Sequence, residues 1–392
     1  MNEAYADAPY LAGKVIVALN KRLPAKGPIY DVSPVLGDIE HGRVEVIFST
    51  PDPTTDVGDI LLVHLKNSSE QAVPEAVDAL SANPYVLYAE PDHLEELHRV
   101  PNDPLYPELW GLPKIGAPLA WQRTVGQRRV AVGVIDSGID HFHPDIRENM
   151  WSLPSRRLFN GWNFAENNRD SLDDNGHGTH VAGTVGAVGN NRLGVTGVCW
   201  RVSIVSMKFG LDVASAIASI AFANQFGIPI LNASWGGRGY SEALHYAIQH
   251  YRGLFIASAG NDGTDNDRVP VYPASYTSPN ILSVAASEPD DSLARFSNYG
   301  AASVDIAAPG VGILSLGLAN DYTPLNGTSM AAPHVAGAAA LLKAYRPRLS
   351  PLALKQIILT TARQTPQLTG RVLSGGRLDV NAMLERARRL PR

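Results

Sequence analysis

The feature that most restricts what this chain can fold into begins near residue 130, where short, almost wholly apolar runs start to alternate with helical stretches. In order they read "VAVGVID", "GTHVAGTVGAV", "VSIVSMK", "DVASAIASIAFANQF", "PILNASW", "SEALHYAIQHY", "LFIASAG" and "ILSVAAS", closed by "LNGTSMAAPHVAGAAALLKAY". Strands apolar on both faces belong in a parallel sheet that helices cover on each side. The pattern therefore predicts an α/β fold with a doubly wound parallel sheet. In such a sheet, functional groups collect outside the carboxyl ends of the strands.

The pattern changes at "LHRVPNDPLYPELWGL", so the chain divides into residues 1–98 and 99–392. Before the change, "KVIVALN", "RVEVIFS", "DILLVHL" and "YVLYAE" read as strands and "EQAVPEAVDALSA" as a helix with one apolar face. These describe a small α+β unit. Its other expected helix, in "YDVSPVLGDIEHG", has room for only a turn or two.

With 392 residues, 45% hydrophobic and 18% charged, the chain has the make-up of a globular protein of more than one domain. The 33 basic against 38 acidic side chains, with no basic cluster, offer nucleic acid no electrostatic footprint. No apolar run is long enough to span a membrane, and "NEAYADAPY" has neither the charged nor the apolar part of a leader. The single cysteine, Cys199 in "GVCWRVSIV", excludes an internal disulfide and reads as a small core residue.

The strand-end rule selects four residues. Asp136 stands where "VAVGVID" stops, Asn261 follows "LFIASAG", His177 opens the helix in "DDNGHGTHVAG", and Ser329 opens the last helix. A serine hydroxyl is a weak nucleophile until a base takes its proton, and a carboxylate fixes the base's tautomer and steadies its charged form. The oxyanion that follows needs donors: the Ser329 N–H at a helix start and the Asn261 amide. Taken singly, each has a plainer explanation, as a helix cap, a core histidine or a turn. Together, at four expected element ends, they point to nucleophilic catalysis.

The blocks "VGVIDSGIDHFHPDI", "DDNGHGTHVAGTVGA", "ASAGNDG" and "NGTSMAAPHVAG" resemble the signature segments of the subtilisin-like serine proteases, in that family's order. The resemblance runs from about residue 100 to the C-terminus. It implies Ser329 as nucleophile, His177 as general base and acid, Asp136 as its orienting carboxylate, and Asn261 as oxyanion donor. It further implies that Ser234, Trp235 and Gly236 pair with an extended peptide and wall its first pocket. Ser258, Ala259 and Gly260 would form the opposite wall, with "VYPAS" near the base. With nothing charged there, an apolar or medium-sized P1 residue (the one before the bond cut) is expected. His143, His180 and His334 match structural positions, Val181 removes any thiol dependence, and Met330 is expected to be partly exposed.

The loop after "SMKF" is shorter than in the family, so outer-pocket specificity does not carry over. The segment "ALSANPYVLYAEPDH" resembles the end of the family's propeptide, which makes residues 1–98 a ferredoxin-like prodomain and inhibitor of its own enzyme, cut off between about Leu94 and Pro101. "GAVGNNRLGV" resembles the family's calcium loop, with Asn191, Asp145 and Asp103 as side-chain ligands and Gly189, Leu193 and Val195 giving carbonyls. The whole reads as a secreted or cell-envelope serine endopeptidase made as a zymogen and acting on proteins or peptides. A catalytically silent member used for binding or signalling is the alternative. An esterase is disfavoured because "NGTSMAAP" lacks the G-x-S-x-G elbow.

Overall fold

The structure is a computed structural model that describes residues 10–20, 25–26, 29–30, 32–49, 58–69, 71–93 and 99–390. The start of the chain, where no leader was read, and residues 94–98 of the expected processing segment lie outside these. Two compact units are present, Met1–Leu97 and His98–Arg392.

The first unit runs β1 (Tyr10–Leu19), α1 (Ser33–Leu36), β2 (His41–Ser49), β3 (Asp59–Leu65), α2 (Ala72–Ser81) and β4 (Val86–His93). Its sheet has the order β2-β3-β1-β4 with antiparallel neighbours, the topology of a ferredoxin-like βαββαβ unit. Alternation along β1 sends Val15, Val17 and Leu19 into the core, where Val15 stands opposite Val63 and Val17 opposite Leu61. Helix α2 covers them with Val73, Ala76, Val77 and Leu80, one apolar stripe at i, i+3, i+4 and i+7. Helix α1 is a single turn, as its short sequence foreshadows.

The second unit carries β5 (Gly126–Asp136), β6 (Gly161–Asn163), α3 (His177–Gly186), β7 (Arg201–Lys208), α4 (Val213–Phe226), β8 (Ile230–Ala233), α5 (Glu242–Gln249), β9 (Leu254–Ser258), β10 (Ile281–Ser287) and β11 (Ile306–Pro309). A hairpin of β12 (Ile313–Leu316) and β13 (Tyr322–Leu325) follows. Then come α6 (Thr328–Tyr345), α7 (Pro351–Thr360), β14 (Arg363–Gln364), β15 (Gly376–Arg377) and α8 (Val380–Arg388). The sheet order is β6-β7-β5-β8-β9-β10-β11-β15-β14. Every neighbouring pair is parallel except the last.

The chain leaves β5 for β6 and β7 on one side, then returns to lay β8 on the other. That reversal makes the carboxyl end of β5 a switch point of the topology. Alternate residues serve the two faces: Val132 and Val134 meet α3 and α6, while Ile135 meets α4 and α5. Helix α6 is buried on nearly every side, which explains why it reads as alanine and glycine rather than as an amphipathic stripe. Asp212 caps α4 by accepting the Ser215 N–H at 2.9 Å, so only residues 209–212 separate β7 from α4. No helix among the described residues is long and apolar enough to cross a membrane.

Candidate active site

Asp136 is the last residue of β5 and His177 the first of α3. His177 Nδ1 lies 2.7 Å from Asp136 Oδ1, an oxygen that also accepts the Ser137 N–H at 2.8 Å. The Asp136 side chain is buried, whereas His177 is one-third exposed. Burial works against the charged imidazole. The hydrogen bond and charge of Asp136, helped by the charge of Asp173, outweigh burial and hold the His177 pKa above its ordinary value.

Asp173 is a residue the sequence reading passed over. It is buried, and five donors converge on it: its Oδ1 accepts from the Ser137 hydroxyl and the Asn175 and Gly176 amides, and its Oδ2 from the Thr179 amide and hydroxyl, at 2.6–3.1 Å. It ties the turn after Asp136 to the first turn of α3. Its signal lay in "SLDDNGHGTH" as an acidic residue four before the histidine, which reads as loop chemistry until the fold closes.

Ser329 is the second residue of α6, and Gly327, not the serine, occupies the cap position. The Ser329 amide is among those that a helix start leaves without an intrahelical partner. The Ser329 hydroxyl donates to the Ser234 carbonyl at 3.0 Å, and the Ser234 hydroxyl donates back to the Ser329 carbonyl at 2.8 Å. Asn232, buried in β8, donates to the Ser234 hydroxyl at 2.9 Å and so fixes this exchange. In this arrangement the serine proton faces Ser234 rather than His177, and rotation about the Cα–Cβ bond is needed to turn it to the imidazole.

The Asn261 oxygen accepts both the Thr328 amide and the Thr328 hydroxyl at 2.9 Å. An amide N–H can only donate, so the Asn261 side chain must present its NH2 group in the other direction. A Cβ placed on Gly327 would sit 3.5 Å from Asn261 Nδ2 and 3.5 Å from the Ser329 nitrogen. The two nitrogens thus lie near one point beside Gly327. Met330 is a correction: it is 1% exposed, because the third residue of α6 points into the core, although its sulfur lies 3.6 Å from the same point beside Gly327.

Ser234, Trp235 and Gly236 follow β8, with Trp235 stacked near Phe209 at 4.9 Å between ring centres. Gly237 and Tyr272 exchange backbone hydrogen bonds of 2.8 and 2.7 Å, which sets the 271–273 segment against this wall. On the opposite side Ser258 ends β9, and Ala259 turns away from the groove into a cluster with Val304, Leu368 and Val372. Ala259 therefore contributes backbone rather than side chain. Val271 stands between the walls: its Cγ1 is 3.0 Å from where a Cβ on Gly236 would lie and 3.6 Å from one on Gly260.

Three of the four other histidines of these segments, His143, His180 and His334, are buried. His180 Nε2 sits 2.9 Å from the Ile313 and Thr323 carbonyls, and burial pushes its pKa down to about 4. Burial likewise takes His334 to about 4, and it lowers His143. Cys199 is wholly buried, and burial pushes its thiol up to about 12, a core residue and no nucleophile.

The candidate calcium ligands are linked by hydrogen bonds, and the described residues hold no cluster of three or more His, Cys, Asp or Glu side chains that could bind a metal. Asp103 accepts the Asn190 and Asn191 amides at 2.7 and 2.9 Å, and Asp145 accepts the Asn191 side-chain amide at 2.7 Å and the Val195 N–H at 2.9 Å. Burial, with the Asp103 charge adding to it, pushes the Asp145 carboxyl up to about 6. The carbonyls of Gly189, Leu193 and Val195 accept no hydrogen bond among the described residues. Asn191, however, shows its NH2 to Asp145 and its oxygen to the Leu193 N–H at 2.8 Å.

A carboxylate-held imidazole, a serine at a helix start and a pair of neighbouring N–H donors, all at the carboxyl end of a parallel sheet, can carry acyl transfer through a covalent intermediate. The class that this fold and site define is a serine hydrolase. The model of the subtilase family matches residues 127–376. The chain is 33% identical over 351 residues to the thermophilic serine proteinase of Bacillus sp. (strain AK1), covering 87% of this chain and 80% of that one. It is 38% identical over 261 residues to subtilisin BL of Lederbergia lenta, 64% of this chain and 90% of that one. A protease from Pseudoalteromonas arctica PAMC 21717 superposes with a TM-score of 0.64 at 29% identity, over 73% of this chain and 99% of its own. The chain belongs to the subtilase family and is a serine endopeptidase.

Proposed function

We propose that Ser329 is the nucleophile, His177 the general base and acid, Asp136 its orienting carboxylate, and that the Ser329 N–H and the Asn261 amide hold the oxyanion. The observation that supports this is that the Ser329 and Asn261 nitrogens each lie 3.5 Å from the point a Gly327 Cβ would occupy, while Asp136 holds His177 by Nδ1. With Nδ1 engaged, Nε2 is the nitrogen free to act as base.

Ser329 Oγ turns from Ser234, passes its proton to His177 Nε2 and forms a bond to the scissile carbonyl carbon. The carbonyl oxygen moves to the Ser329 and Asn261 donors as an oxyanion. His177 then gives the proton to the leaving amine, and the C–N bond breaks to leave an acyl-enzyme. Water repeats the sequence: His177 takes its proton as its oxygen bonds to the acyl carbon, the acyl–Oγ bond then breaks to release the acid, and His177 returns the proton to Ser329 Oγ.

Residues 234–236 pair with the substrate backbone and wall the P1 pocket, while 258–260 line it from the other side, mainly through backbone. Val271 between them narrows the expectation for P1 to small apolar residues.

A structural calcium ion would be held by Asp103, Asp145 and Asn191 with the carbonyls of Gly189, Leu193 and Val195. Two carboxylates, one amide and three carbonyls make a hard oxygen set of calcium's usual size. The unengaged carbonyls and the raised Asp145 support this reading, and Asn191 must turn its oxygen inward. When bound, the ion would neutralise these carboxylates and brace the loop.

The first unit acts as a prodomain and inhibitor, removed between about Leu94 and Pro101, and the enzyme works outside the cytoplasm. The ferredoxin-like sheet order and the pattern change at the boundary support the prodomain.

One comparison tests the residue roles and the processing together. The parent protein should take up an organophosphonate on Ser329 and show a new N-terminus within residues 94–101. Ser329→Ala should stay full length, unlabelled and inactive on casein. Casein hydrolysis by purified Ser329→Ala within about tenfold of the parent would sink the assignment, because losing a triad nucleophile costs orders of magnitude more.

A further inference from the structure

Next to the catalytic strand ends, but not part of the machinery above, is an open hollow of about 490 Å3. Its apolar lining comes from Phe142, Phe159 and Leu172, which are 68%, 54% and 36% exposed. Its rim carries Arg157 and Arg169. Large apolar side chains gathered around a concavity are uncommon on a plain solvated surface and mark places of contact. Neither arginine forms an ion pair with any described residue. The one acid in the lining, Asp170, accepts the Leu172 N–H at 3.3 Å and so is partly engaged by its own loop.

The hollow is connected to the site through the chain. Residues 169–172 lead directly into Asp173, which anchors the His177 turn, and the Ile139 amide donates to the Ser171 carbonyl at 3.1 Å. The loop that carries Arg169 and Leu172 is thus tied to the turn that holds His177. Two unpaired guanidinium groups above three exposed apolar side chains complement one kind of segment, a large apolar side chain flanked by carboxylates.

We infer that this hollow is an auxiliary docking site for protein substrates, taking an acidic and apolar stretch some residues away from the bond that is cut. The inference rests on the endopeptidase reading. Because the arginines are solvated, their attraction is long-ranged, modest and screened by salt. The site should favour such substrates through KM and leave the chemical step alone.

The test uses two fluorogenic peptides with the same cleavable core. One is extended at both ends, through Gly-Ser spacers, by Glu-Phe-Glu-Leu, and the other by Gln-Ser-Gln-Ser. The parent enzyme should cut the acidic peptide with a kcat/KM about three- to tenfold higher, through a lower KM, and the advantage should shrink toward unity in 0.5 M NaCl. Arg157→Gln with Arg169→Gln, and separately Phe159→Ser, should each abolish the advantage while hydrolysis of the unextended core stays unchanged. Equal kcat/KM for the two extended peptides, or an advantage that survives both variants, overturns the docking site and leaves the endopeptidase reading intact. A core peptide left uncut by the parent would instead remove the reading beneath it.

Discussion

Asn261 has its oxygen committed to Thr328 by two hydrogen bonds, so its NH2 group is oriented before any substrate arrives. A donor preset in this way acts mainly on the charge that develops in the transition state. Asn261→Ala should lower kcat by about 10²–10³ with little change in KM; a raised KM at constant kcat would make the residue a binding or turn position. His177 works as a base only when neutral. Because Asp136 and Asp173 together hold its pKa above the ordinary value despite burial, the acidic limb of kcat/KM should fall above pH 6.5. Asp173→Asn removes one of those charges, so the limb should move to lower pH. The asparagine would also turn an NH2 group toward donors now bound to a carboxylate, loosening the turn and lowering kcat/KM by roughly 10–100-fold. A lower rate on an unmoved limb would make Asp173 purely structural. Asp136, His177, Asn261 and Ser329 could be singled out as candidates because each lies at or within three residues of the end of an element whose pattern is strong. Asp173, Asn232 and Thr328 could not, since their roles exist only in contacts made after the elements meet.

At the scale of elements, the alternation of apolar strands and helices was enough to read the parallel sheet, because burial on both faces leaves a continuous apolar signal. The helix α2 and the single turn of α1 followed from periodicity and length in the same way. Strands β6 and β11 to β15 escaped notice: they are two to four residues long, and such short runs carry no alternation that separates them from loop. The proposed P1 pocket belongs to this scale, since its walls would come from the ends of β8 and β9 and its filling from the 271–273 segment. Val271 Cγ1 lies near both Gly236 and Gly260, which supports the proposal of a small P1 side chain. Val271→Gly should raise kcat/KM for phenylalanine at P1, relative to alanine, by at least about tenfold, as pocket volume differences of this order do. An unchanged ratio across a series of P1 peptides would show that the walls, not Val271, set the depth.

For the molecule as a whole, Asp103 is the point at which the beginning of the catalytic unit is fastened to its centre. Its carboxylate holds the Asn190 and Asn191 amides, and that loop in turn meets Asp145, from the segment after β5, and, through Asp145, the Tyr322 hydroxyl at 3.3 Å. Four stretches far apart in sequence are thus joined around two carboxylates that burial has raised. A cation bound there stabilises the folded chain by mass action, by about 2.7 kcal/mol at one hundred times its dissociation constant. The processed enzyme should therefore unfold at a clearly lower temperature in EDTA than in millimolar calcium. Asp145→Asn, which keeps the shape and removes a charge, should narrow that gap, and elemental analysis should find calcium in the parent. Equal midpoints in the two buffers, with no calcium in the purified protein, would leave Asp103, Asp145 and Asn191 a hydrogen-bonded clasp that needs no ion.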